Sequence, residues 1–296
     1  MPVTSTCPVC GDNNSRLFLD GEDRLDICSV GSSRSLLSPG RILRCNKCRL
    51  AFRSFRPTID ELGQLYRDAD DSIYEAELAN RFRTAERHRR IVARYQRLPG
   101  SMIDVGCASG AFLRVMADAG WKVTGVEPSA SQCARARKVL ENRGEIKEEV
   151  LERAELPQGV DLVTMWDVLE HVGDPVSFLS GGSDLLRKEG LLILNVPFID
   201  SVLARSLKSK WPLLLAEHLN YFTAQSLRLC ASKANLDVIA LGHRPVSFSM
   251  GYVLYRLSQH GLPGAKAIST LLKSTRMDAL SVPIWMGEIY AVCRRK

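Results

Sequence analysis

The residues best placed to do chemistry in this chain lie around a glycine turn at its centre. Met102-Ile103-Asp104-Val105 reads as a short apolar strand carrying an acid near its end. The turn Gly106-Cys107-Ala108-Ser109-Gly110 follows, and then Ala111-Phe112-Leu113, the start of an amphipathic helix. Trp121-Lys122-Val123-Thr124-Gly125-Val126-Glu127-Pro128 is a second strand ending in an acid. A strand, glycine turn, helix, strand and acid in this order bind an adenosine-containing cofactor. Gly106 and Gly110 are expected to let the backbone approach the ligand where a Cβ would collide with it. The helix start offers unpaired N–H groups to a carboxylate or phosphate, and Glu127 sits where it can accept from both ribose hydroxyls. The glycine spacing is not the G-x-G-x-x-G of a dinucleotide site. Asp104, two residues ahead of the first glycine, suits an ammonium group better than a pyrophosphate.

A second constellation lies downstream. Val160-Asp161-Leu162-Val163-Thr164-Met165-Trp166 is an apolar run of buried-strand character. It leads into Asp167-Val168-Leu169-Glu170-His171-Val172-Gly173-Asp174-Pro175. A helix is expected over 176–188, then the strand Gly190–Pro197, and later Glu217-His218-Leu219-Asn220-Tyr221-Phe222-Thr223. The glycine turn, the DVLEHV segment, the Leu185–Gly190 turn and the EHLNYFT segment together resemble the class I S-adenosylmethionine-dependent methyltransferases. The similarity is to the subgroup that includes ubiquinone-type and sugar methyltransferases, and it covers residues 101–223. It implies an α/β, Rossmann-like seven-stranded sheet. It also implies S-adenosyl-L-methionine as cofactor, held by Asp104, Gly106, Cys107, Gly110, Glu127, Pro128, Trp166 and Asp167.

Methyl transfer from a sulfonium depends chiefly on aligning a nucleophile with the C–S bond and excluding water. A hydroxyl acceptor must also lose a proton, and histidine suits that task near neutral pH. His218 and His171, each after a strand whose end faces the cleft, are the candidate bases. Either residue has a plain alternative in fixing its loop. His88, His243 and His260 have no such context and read as ordinary.

Nearer the N-terminus, Cys7-Pro8-Val9-Cys10 and Cys45-Asn46-Lys47-Cys48 are two C-x-x-C knuckles. Four thiolates from such a pair make a tetrahedral Zn²⁺ site. The 34 residues between them are more than the usual spacing, so an excursion over about Asp20–Ser38 is expected, with Cys28 as a poorer substitute ligand. Residues 1–57 are thus read as a zinc-ribbon-like module with its own core, folded largely by its metal. A cysteine module ahead of the methyltransferase region resembles the N-terminal regions of enzymes of glycan and natural-product modification.

Residues 58–98 read as a helical linker or cofactor lid. Thr58 and Glu61 form a capping box, Tyr66 or Tyr74 is a candidate cofactor contact, and an Arg-rich helix spans 75–98. Residues 99–296 read as the methyltransferase domain. Leu236–Leu241 and Ile289–Val292 are its last two strands, an antiparallel pair. Insertions at about 198–216 and 245–285 are read as substrate-covering.

The 296 residues carry a formal net charge of +7. Residues 101–198 hold 10 Lys/Arg against 15 Asp/Glu, and residues 199–296 hold 13 against 5. A basic C-terminal third attracts anions, whether a nucleotide- or lipid-linked glycan or a membrane surface. No run approaches a membrane span or a secretory signal. Nine cysteines without such a signal suggest a reducing, cytoplasmic setting. A peripheral membrane contact and a homodimer stay open. The leading function is O-methylation of a sugar or related hydroxyl compound. One alternative is an RNA methyltransferase gripping its substrate through the zinc module and basic helix. Nucleic acid is disfavoured, because Trp166-Asp167-Val168-Leu169 stands where an N/D-P-P-Y motif would be and no stacking platform is evident. A further alternative is a non-catalytic zinc-dependent interaction protein, against which the intact Asp104, Gly106, Gly110 and Glu127 argue.

Overall fold

In the computed structural model, residues 5–21, 40–55, 78–251, 253–254 and 280–296 are described. The capping box at Thr58, the tyrosines Tyr66 and Tyr74, and Cys28 lie outside these residues, as does most of the 245–285 insertion.

The N-terminal segment forms β1 (Ser15–Leu19), β2 (Ile42–Cys45) and β3 (Ala51–Arg53). Then come α1 (Leu78–Tyr95), β4 (Ser101–Val105), α2 (Ala111–Asp118), β5 (Lys122–Val126), α3 (Ala130–Leu140), β6 (Gly144–Lys147) and β7 (Val160–Trp166). The second half runs α4 (Pro175–Asp184), β8 (Leu186–Pro197), α5 (Val202–Leu207), β9 (Asn220–Tyr221), α6 (Ala224–Lys233), β10 (Leu236–Gly242), β11 (Val246–Ser249), β12 (Ser281–Ile284) and β13 (Glu288–Arg295). The helix expected over 176–188 ends at Asp184, because Leu186 already pairs with Val160 in the sheet.

Seven strands form the central sheet in the order β10-β13-β8-β7-β4-β5-β6. β8, β7, β4, β5 and β6 are parallel, while β13 runs antiparallel to both β8 and β10. This is the Rossmann-like seven-stranded sheet that the resemblance implies, and the expected antiparallel pair at its end is present. Because side chains alternate along a strand, the sheet has two apolar faces. Ile103, Val105, Val163, Met165, Leu192, Leu194, Ile289 and Ala291 share one core with α4 and α6. Met102, Leu162, Ile193 and Val292 share the other with α1, α2 and α3. The same alternation sets Asp104, Thr164, Trp166, Asn195 and Glu288 on the face covered by α1 and α2.

The N-terminal strands do not form a separate body. They join a four-stranded sheet, β1-β2-β3-β9, whose last strand comes from the segment after β8 of the central sheet. Ala51 pairs with Tyr221 and Phe52 with Asn220. Cys7, Val9, Cys45, Cys48, Leu50 and Phe52 pack in one core with Phe222, Leu227 and Cys230. The expectation of two independent cores is therefore corrected: a module this poor in apolar residues completes its core on α6. The 198–216 insertion packs here too, with Ala204 and Trp211 buried against Ile42, Ala51 and Tyr221. It buttresses the cysteine module, where a cleft-covering lid was expected. Among the described residues no helix is long and apolar enough to cross a membrane.

Candidate functional site

The turn after β4 has the backbone that its glycines predict. Gly106, Ala108 and Gly110 all have positive φ, at 71°, 46° and 76°. The structure adds a second reason for glycine at two of these positions. A Cβ on Gly106 would lie 2.6 Å from Val168 Cγ2, and one on Gly110 3.0 Å from Ala136 Cα. The two glycines serve the turn's geometry and its packing against the DVLEHV segment and α3. α2 starts at Gly110 with no side-chain cap, which leaves its first N–H groups facing outward.

Glu127, at the carboxyl end of β5, is held from two sides. Its Oε2 accepts the Ala108 N–H at 3.0 Å and its Oε1 the Ser129 N–H at 3.0 Å. The carboxylate is thereby pinned beside the turn. Asp104 is buried and accepts from Thr164 Oγ1 at 2.6 Å; burial raises its pKa to about 7. Cys107 is buried and Pro128 half-buried at the rim of this loop. The positive-φ turn, an uncapped helix start and a fixed acid twenty-one residues after Gly106 form a cradle suited to an adenosine with a charged amino-acid tail.

Trp166 and Asp167 close the neighbouring strand end. His88, read from sequence as ordinary, stacks on the Trp166 ring with centroids 3.7 Å apart and planes 12° from parallel. Phe112 meets the same indole edge-on at 5.5 Å. The signal was present in the period of α1, where His88 falls on the stripe of Ala85, Ile91 and Val92. Asp167 has φ 57° and is locked by Asn195, which accepts the Asp167 N–H at 3.0 Å and donates Nδ2 to its carboxylate. Asn195 Nδ2 also reaches Glu288 Oε2 at 3.2 Å. Burial raises the Glu288 pKa to about 7 despite the Arg244 guanidinium beside it. Asn195, Arg244 and Glu288 were not foreseen, for they come from strand ends distant in sequence with no local motif.

His171 and His218, read as alternative bases, are one cluster. Their rings meet edge-on at 4.7 Å. His218 Nδ1 lies 2.9 Å from the Leu213 carbonyl and His171 Nδ1 3.1 Å from the Glu217 carbonyl. Each Nδ1 therefore carries the proton, which leaves Nε2 as the basic nitrogen. Burial lowers both pKa values to about 4, so both rings are neutral at pH 7. Glu170 completes the group: one ligand atom from each of Glu170, His171 and His218 lies within 4.8 Å of the others. Burial pushes the Glu170 carboxyl well up, and its Oε2 has no hydrogen-bond partner. Such a trio can take a proton from a hydroxyl or hold a cation.

The four cysteines of the two knuckles also converge. Their sulfurs lie within 4.8 Å of one another, with Cys7–Cys48 and Cys10–Cys45 both at 3.4 Å. With Zn–S near 2.3 Å, a tetrahedral site needs S–S edges of roughly 3.8 Å. The Cys48 N–H points at Cys45 Sγ from 3.5 Å, the backbone support a thiolate requires. The Cys48 thiol holds Cys7 down at about 5, and the same contact pushes Cys48 up. The donor set fits a structural zinc ion.

Comparison with known proteins agrees with this geometry. The methyltransferase domain family profile matches residues 77–241, starting inside the segment read as a linker. The ubiquinone biosynthesis O-methyltransferase of Schizosaccharomyces pombe is 34% identical over 123 residues, which are 40% of this chain and 43% of that protein. The enzyme of the same name from Nitrosospira multiformis is 28% identical over 179 residues, 54% of this chain and 74% of that one. The chain thus spans under half the length of the first of these relatives. Among solved structures, magnesium protoporphyrin IX methyltransferase from Synechocystis PCC 6803 with bound SAH superposes with a TM-score of 0.51 at 16% identity, over 79% of this chain and 92% of that one. That likeness is one of fold. The profile covers more than half of the 296 residues, and the chain belongs to the methyltransferase domain family with the class I, Rossmann-like fold.

Proposed function

We propose that this chain transfers a methyl group from S-adenosylmethionine to a hydroxyl of a small molecule or glycan precursor. The observation that carries the reading is Glu127, pinned by the N–H groups of Ala108 and Ser129 beside a turn with three positive-φ residues. Glu127 would accept from the ribose hydroxyls, and the turn and α2 start would receive the amino-acid end. The cofactor supplies the electrophilic methyl. The chain supplies alignment, a dry strand end at Trp166, and neutral imidazoles whose Nε2 atoms can take the acceptor's proton.

The acceptor is read as a sugar or related hydroxyl compound, from the cysteine module and the basic C-terminal third. A phenolic acceptor is the second reading, favoured by the similarity to the ubiquinone O-methyltransferases. The four knuckle cysteines are read as holding a structural zinc ion. Incubation with methyl-labelled S-adenosylmethionine and parallel panels of sugars, nucleotide sugars, catechols and amines tests the acceptor. Label in the sugar panel supports the first reading, label only in catechols the second, and label in nitrogen compounds alone contradicts O-methylation.

A further inference from the structure

Around the strand end at Trp166 lie buried nitrogens that make no hydrogen bond. Arg244, just past β10, is 4% exposed. None of its Nε, Nη1 and Nη2 atoms makes a hydrogen bond, and neither do Trp166 Nε1 and His88 Nε2. The guanidinium carbon lies 5.9 Å from the centre of the Trp166 ring, on which His88 stacks. Arg244 Nη2 is within ion-pair distance of Glu288 Oε2 at 3.1 Å and Asp167 Oδ2 at 3.6 Å, but its N–H groups are not aligned on either. Both carboxylates have Asn195 as a donor already.

A buried guanidinium with idle N–H groups is costly unless something fills the fork. A second cation makes the site more demanding. Arg87, on α1, donates to Ser247 Oγ and lies close enough for the two arginines to repel one another. Burial, helped by Arg244 and Arg87, keeps His88 well below the usual imidazole range, so this ring brings no third charge. An oxyanion would fill the planar fork bidentately, accept the indole N–H and offset the repulsion between the arginines.

We propose that Arg244 and the Trp166 indole N–H form a subsite for an oxyanion of the methyl acceptor, a carboxylate or a phosphate. The subsite's occupant rests on the methyltransferase reading; its existence does not. An acceptor anchored there sits at the end of β7, beside Val168, the residue that packs on the Gly106 turn. Acceptors bearing an acidic group would then be preferred over their neutral counterparts.

The test is a titration of the full chain followed by nitrogen-15 NMR of the indole N–H groups, the Trp166 signal being assigned with Trp166→Phe. Benzoate, benzyl alcohol and inorganic phosphate are added with and without S-adenosylhomocysteine. A saturable shift of the Trp166 signal is expected with benzoate or phosphate and not with benzyl alcohol. The arm that binds tells a planar from a tetrahedral oxyanion. Arg244→Gln should weaken the anion at least tenfold. Arg244→Lys, which keeps the charge and loses the fork, should weaken it at least threefold and carries the test should the first variant unfold. Absence of a saturable shift with both anions, or an unchanged one in the Arg244 variants, overturns the subsite. Anion binding that S-adenosylhomocysteine displaces would assign the position to the cofactor's own carboxylate and overturn the acceptor role. Failure of S-adenosylhomocysteine itself to bind contradicts the methyltransferase reading, while the anion shift still decides the subsite.

Discussion

Arg53, on the last strand of the cysteine module, donates its backbone N–H to the carbonyl of Leu219 at 3.0 Å, one residue beyond His218. Its guanidinium also donates to the Ala216 carbonyl, two residues before His218. Leu219 in turn donates its N–H to the Glu170 carbonyl at 2.7 Å. Hydrogen bonds thus join β3, the strand that follows the second cysteine knuckle, to the backbone of the Glu170–His171–His218 group.

This link changes the expected outcome of metal removal. The purified chain should hold about one zinc ion, and chelation should do more than unfold the first residues. Amide exchange is expected to rise across 213–222 as well as across the knuckles, with turnover falling at least tenfold. Elemental analysis beside hydrogen-exchange mass spectrometry measures both. A metal-free protein with full activity and unaltered exchange at Leu219 would refute the coupling.

The glycine turn should tolerate little. Gly106→Val would place a β-branched residue at φ 71° with a Cβ 2.6 Å from Val168 Cγ2. Gly110→Ala would push on the α3 backbone at Ala136, a less yielding neighbour than a side chain. Each variant is expected to lose roughly 1–3 kcal/mol of stability. If the explanation through Val168 is right, Gly106→Ala combined with Val168→Ala should regain stability that Gly106→Ala loses. Thermal melts of the two variants that show no recovery would point to φ alone.

His218 should leave a mark on the pH dependence of stability. Its pKa is about 4 in the folded chain against 6.5 for a free imidazole. The unfolded chain takes up a proton that the buried ring refuses, so His218 favours folding above pH 6.5 and this is lost as pH falls toward 4. The span is worth roughly 3 kcal/mol. Asp104, with its pKa raised to about 7, acts in the opposite sense, losing its contribution as pH rises through that value. The difference between wild type and His218→Asn isolates the histidine. Denaturant melts at pH 4.5, 5.5 and 6.5 should show wild type losing more stability than the variant.

If His218 is also the base, His218→Ala should lower turnover by about 10²–10⁴ with cofactor affinity nearly unchanged. The acid limb of the rate profile would disappear. A small loss with the same limb would hand the proton to His171, and His171→Ala would then remove it.

The two histidine segments show what sequence could and could not convey. DVLEHVGDP and EHLNYFT were legible as matched motifs, and their polar residues prove to be joints. Asp174 caps α4 through Val176 and Ser177, and Thr223 caps α6 in a capping box with Ser226. Buried Asn220 donates to the Val172 carbonyl at 2.8 Å, docking one segment on the other. Short apolar runs and glycine placement likewise sufficed to locate β4, β5 and β7. Arg244, Asn195 and Glu288 were not legible, because they meet only through the strand order β10-β13-β8-β7, which no local pattern encodes. The shared core of the cysteine module escaped for the same reason. Its partner strand is two residues long, Asn220 and Tyr221, too short to carry a period of its own.

The central claim is that Glu127 and the Gly106–Gly110 turn hold S-adenosylmethionine. Isothermal titration of wild type and Glu127→Ala with S-adenosylmethionine tests it most directly. Wild type should bind one equivalent, and the variant should bind about 1.5–3 kcal/mol more weakly, the scale of losing charge-assisted hydrogen bonds to the ribose. Equal affinity in the two proteins, or no binding by wild type, would contradict the account.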